Sequence, residues 1–82
     1  MENNINGLTF VVTGSVEHYK NRDELKAEIE SLGGTVAGSV SAKTSYLLTN
    51  DTSSGTSKNR KAQELGVPII TENEYRAMAG LA

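Results

Sequence analysis

Apolar positions in this chain fall in short clusters, and the spacing within each cluster predicts a strand or a helix. Leu8 to Thr13 (LTFVVT) is a compact β-branched run after the turn signal Asn6-Gly7, the pattern of a buried strand. Leu25, Ile29 and Leu32 then recur at helical spacing. Asn21 stands where that helix needs a cap and Glu24 is placed to reach back, while Gly33-Gly34 ends it, since glycine adopts the left-handed conformation at little cost. Thr35-Val36-Ala37 and Ser45 to Thr49 (SYLLT) give two further strands. Val67-Pro68-Ile69-Ile70 gives a last one, with Pro68 at the start of an edge strand, where a missing amide breaks no ladder bond. Between these last two lies a helix from about Ser57 to Leu65, stopped by Gly66. Thr71-Glu72-Asn73-Glu74 repeats the capping signal as T-x-x-E and opens a final helix that buries Tyr75, Met78 and Ala79 and frays towards Ala82.

The predicted order is β-α-β-β-α-β-α. Its strands are apolar throughout rather than alternating, as expected when a sheet is covered on both faces. Strand-helix-strand units of this length require parallel, right-handed crossovers. The fold class is therefore α/β, a small sandwich of sheet and helices in one domain over residues 1–82.

Composition narrows the function classes. There is no cysteine, which excludes disulfides and thiolate metal sites and suits a reducing cytosol. His18 is the only histidine, too few for an ordinary zinc site, and no metal or other cofactor is expected. No apolar run reaches the ~18 to 20 residues of a membrane span, and the start MENNINGLTF lacks a signal-peptide layout, so a soluble chain with no membrane partner is expected. The net charge of -2 argues against a protein that coats long duplex. Thr52 to Ala62, however, carries three cations and no acid, which leaves room for a focused anion contact.

Catalytic patterns are weak. The carboxylates Glu24 and Glu28 are neighbours on one helix face and read as solvated, and His18 with Ser15 lacks both a second histidine and a nucleophile elbow. The loop Ser53-Ser54-Gly55-Thr56-Ser57 leading to Lys58 is not a nucleotide-binding P-loop, since it has one glycine and the wrong spacing. Phosphate is a better fit. Thr13-Gly14-Ser15 follows the first strand, at the edge where open α/β sheets bind ligands, with hydroxyl and amide donors and a glycine that permits close approach. Arg22 and Lys58 each put a cation in the first turn of a helix, where the helix pole already favours an anion and repels a cation. Exposed cations there cost only a few tenths of a kcal/mol and need no ligand, but a bound phosphate would offset both placements. Arg60 and Lys61 would enlarge a basic rim, and Lys43 is either a further cation or a solvated loop residue. Tyr75 belongs to the core, pattern alone does not assign Tyr19 and Tyr46, and the few aromatics argue against a stacking platform for single strands.

The strings FVVTGS, NRDELKAEIESLGGTVAGSVSAKTSYLL and SGTSKNRKAQELGVPIITENEY together resemble the BRCT domain, in particular the C-terminal BRCT domain of bacterial NAD-dependent DNA ligases, over residues 5–80 or so. The resemblance implies a four-stranded parallel sheet in order 2-1-3-4, with the first and last helices on one face and the middle helix on the other. It also implies phosphate binding through Thr13, Gly14 and Lys58, with Arg22 contributing as in relatives that bind DNA ends. Ser15, Lys43, Arg60 and Lys61 complete the candidate set. The expected function is that of a non-catalytic, monomeric module that holds a DNA phosphate, at a nick or 5' end, for a larger ligase or repair protein in the bacterial cytoplasm and nucleoid. The alternative is a module that binds a phosphorylated or acidic peptide or another domain of its parent chain. Tyr75 stands where many BRCT domains have tryptophan, which lowers the case for phosphopeptide reading by tandem domains.

Overall fold

The structure is a computed structural model and describes residues 5–14, 16–50 and 57–81. Its elements are β1 (Thr9–Val12), α1 (Arg22–Ser31), β2 (Thr35–Val36), β3 (Tyr46–Leu48), α2 (Ser57–Leu65), β4 (Ile69–Ile70) and α3 (Glu72–Met78). All pairings are parallel and the strand order is β2-β1-β3-β4, the topology that the resemblance implies. Register sets Phe10 beside both Val36 and Tyr46, and Leu48 beside Ile70.

Because side chains alternate across a strand, each strand feeds both faces of the sheet. Phe10, Val12, Leu48 and Ile70 pack with Ile5, with Leu25 and Ile29 of α1, and with Tyr75 and Ala79 beside them from α3 and its cap. Val11 and Leu47 turn the other way, onto Val40, Ala62 of α2 and Val67. The molecule is thus three layers, α1 and α3 against one face and α2 against the other. Phe10 is the centre of the first layer: it stacks on Tyr46 at 5.7 Å and meets Tyr75 edge-on at 5.9 Å.

The ends of α1 follow their chemistry closely. Asn21 accepts the amide of Glu24 at 2.9 Å, as the capping signal predicts. The reciprocal bond is not made at Asn21, because the Glu24 carboxylate reaches past it to the amide of Lys20, at 3.5 Å. At the other end Gly34 donates to Ile29 and Gly33 to Glu30, at 2.9 and 3.1 Å, with Gly33 at φ 90°, the paired closure of a Schellman motif. Gly34 is small for a separate reason, since a Cβ there would lie 2.7 Å from Ile29 and 2.9 Å from Ile5. At α3 the capping box is complete: Glu74 donates to Thr71 Oγ1 at 3.2 Å and Thr71 donates to Glu74 Oε1 at 3.0 Å.

Candidate phosphate-binding edge

In a parallel sheet with right-handed crossovers, every strand-to-helix loop leaves from the carboxyl edge, so every helix begins there. Thr13 and Gly14 follow β1, Arg22 opens α1, and Lys58 sits in the first turn of α2, all on that edge. Ser15 lies outside the described residues, as does the segment 51–56 that holds the small-residue loop. Lys43 is elsewhere. It belongs to the turn closed by Thr44 N–H on Ser41, directly ahead of Ser45, which donates to Thr9 at the start of β1 and so marks the amino edge.

The residues at the carboxyl edge differ in what they can offer. The Thr13 amide is committed to the ladder, donating to Leu48 at 3.1 Å, which leaves its hydroxyl as the available donor. Gly14 is exposed at φ 81°, and a Cβ there would lie 3.1 Å from Thr49 Oγ1. Its glycine thus has a conformational cause as well as the proposed one of ligand approach. Lys58 is half-buried, whereas Arg22, Arg60 and Lys61 are exposed. On α2 the buried residues Asn59 and Ala62 define the inner stripe, and helical spacing puts Lys61 on the flank of Lys58 and Arg60 on the flank of Glu64.

The first turns of the three helices contrast sharply in charge. Asp23 and Glu24 stand in the first turn of α1, and Glu72 and Glu74 in that of α3, so those amide poles already have anions of the protein's own. The first turn of α2 has no acid and two cations, Lys58 and Arg60.

Two polar networks escaped the sequence pattern. Glu72 is only 1% exposed, yet its carboxylate accepts the amides of Glu17 at 2.8 Å and His18 at 2.6 Å and the Asn50 side-chain amide at 2.8 Å. Burial alone would raise its pKa, but these donors prevail and hold it below the usual glutamate value. His18 Nε2 is 2.8 Å from Asn73 Oδ1, so the lone histidine helps seat the loop on α3. The second network corrects the reading of Glu28 as a solvated helix-face acid: it is half-buried and accepts hydroxyl bonds from Tyr19 and, at 2.8 Å, from Tyr75. Arg76 donates to the Tyr19 hydroxyl at 3.1 Å and lies over its ring. Desolvation, then the bond to Glu28, pushes Tyr19 up to about 12, with Arg76 opposing. Neither network had a local signal. An acid early in a capped helix and an acid on a helix face are both ordinary, and their partners lie on distant parts of the chain.

Comparison with known proteins places these features in a family. Residues 2–74 match the model of the BRCA1 C Terminus (BRCT) domain. The chain is 62% identical over 71 residues to a DNA ligase of Lachnoclostridium phytofermentans, covering 87% of this chain and 11% of that protein. It is 59% identical over 68 residues to a DNA ligase of Ruminiclostridium cellulolyticum, covering 83% and 10%. The chain therefore spans about a tenth of the length of these curated relatives. Among solved structures it resembles the crystal structure of S. pombe Rad4 BRCT3,4, with a TM-score of 0.69 and 25% identity, over 93% of this chain and 42% of that one. With its sheet order, its layers and its matched sequence in agreement, the chain belongs to the BRCT domain family.

Proposed function

We propose that this domain is a non-catalytic DNA-binding module of a ligase or related replication and repair protein, and that it holds a DNA phosphate at its carboxyl edge. The observation that carries this reading is the first turn of α2, which alone among the three described helices has cations and no acid where the helix pole favours an anion. Lys58 supplies the main charge, the Thr13 hydroxyl donates, and Gly14 leaves space for approach. Arg22, Lys61 and Arg60 contact neighbouring phosphates, and Ser15 adds donors beside Gly14. Lys43, at the opposite edge, has no part in this contact. Strand sealing belongs to other domains of the parent chain, which this module helps to keep on its substrate in the bacterial nucleoid.

Fluorescence anisotropy of a nicked duplex bearing a 5'-phosphate, against the same duplex with a 5'-hydroxyl, tests the reading. Tighter binding to the phosphorylated nick is expected. Lys58→Ala should reduce that preference and lower the salt slope by about one unit. Equal, undetectable binding to both duplexes would sink it. The competing reading is a phosphorylated or acidic peptide at the same edge, and binding of a phosphopeptide in place of either duplex would establish that alternative.

A further inference from the structure

Glu72 has a carboxylate that its own helix does not need. The N-terminus of α3 is already closed by the reciprocal Thr71 and Glu74 bonds, and burying a further charge beside it is costly unless specific donors compensate. Those donors come from two other parts of the sheet. Glu17 and His18 lie between Gly14 and Arg22, in the connection that follows β1. Asn50 follows β3; its Nδ2 donates to Glu72 Oε2 at 2.8 Å and its Oδ1 accepts the Glu72 amide at 3.0 Å. One buried anion thus links the carboxyl ends of β1 and β3 through the start of α3. The second network adds a tie in the same direction, from Tyr19 of that connection to Arg76 of α3.

We infer that Glu72 is a positioning residue for the phosphate-binding edge, fixing the connection from Gly14 to Arg22 relative to the carboxyl end of β3, the edge at which Lys58 opens α2. The inference rests on the phosphate reading proposed above. Glu72 does not touch the ligand. It spends its charge on the loop amides, so that the anion-binding groups are held in place before a phosphate arrives, which is the condition for a small polar site to bind selectively. Glutamine at this position keeps the size but presents an amide NH2 to N–H donors, and the clamp loses at least one of its bonds.

The test is a double-mutant cycle on the two nicked duplexes, with wild type, Glu72→Gln, Lys58→Ala and the double variant. Glu72→Gln should lower the preference for 5'-phosphate roughly tenfold, the scale of one charge-assisted hydrogen bond. It should have little further effect once Lys58 is gone, because it acts through the geometry that Lys58 completes. The NMR amide signals of Glu17 and His18 should move in the variant. Asn50→Ala, which removes the Asn50 bonds to Glu72 and leaves those of Glu17 and His18, should lower the preference in the same direction by less, and it decides the matter if Glu72→Gln does not fold. A wild type that binds neither duplex overturns the phosphate reading and this inference with it, and one that binds both equally overturns this inference alone. A wild type with the preference, retained in both clamp variants or lost additively with Lys58→Ala, overturns this inference alone.

Discussion

Gly14 shows how one residue can meet two demands at once. Its position after a strand and before a hydroxyl residue marks it as a place for ligand approach, but its φ of 81° and the nearness of Thr49 Oγ1 would call for glycine even without a ligand. Gly14→Ala should therefore destabilise the domain by about 1–2 kcal/mol from the left-handed backbone alone. Urea unfolding measures this, and a variant as stable as wild type would contradict the conformation described. Lys58 stands out in the sequence only with the family resemblance beside it, because the rule that helix starts disfavour positive charge applies equally to Arg22. Glu72 was not legible. An acid in a first turn is the expected residue, and nothing in T-E-N-E distinguishes a carboxylate turned to solvent from one turned to two amides across the sheet.

Elements are where the sequence was most informative, because caps and periodicity act over a few residues. The two helices with described caps nevertheless differ in a way the similar motifs conceal. At α3 both halves of the box are closed, whereas at α1 only the Asn21 bond is short. Asn21→Ala and Thr71→Ala should each cost about 1 kcal/mol, because each removes the side-chain oxygen that accepts a first-turn amide, while the Thr71 amide keeps its bond to Glu74 Oε1. Thermal unfolding of the two variants measures this, and a variant as stable as wild type would contradict the cap described at that residue. Strand boundaries came out shorter than the apolar runs suggest, Val67 and Pro68 lying before β4 although Val67 is core. Apolar pattern reports burial, and burial extends beyond the residues that share ladder bonds. The tyrosine and Glu28 cluster was hidden for the same reason as Glu72, since its members meet only once α1 and α3 lie on one face.

At the scale of the whole molecule, the two networks set opposite ends of the pH range. Glu72 has a lower pKa folded than unfolded, where 4.5 is its ordinary value, so its contribution is complete above that pH and is lost as pH falls below it. Tyr19 is raised from 10.0 to about 12, so the neutral hydroxyl favours the fold below pH 10 and that contribution disappears between the two values. Urea midpoints measured across pH should fall at both ends, and Glu72→Gln should flatten the acid limb while leaving the alkaline one. An unchanged acid limb in that variant would assign the acid sensitivity to other carboxylates. The layered core has a practical effect on any such measurement. The chain has no tryptophan, and its one phenylalanine and three tyrosines, Phe10, Tyr19, Tyr46 and Tyr75, all belong to the layer of α1 and α3. Aromatic signals in the near ultraviolet therefore report on that layer alone. A ligand docking against α2 would leave the tyrosine signal almost unchanged, and an aromatic reporter for that side has to be introduced by hand.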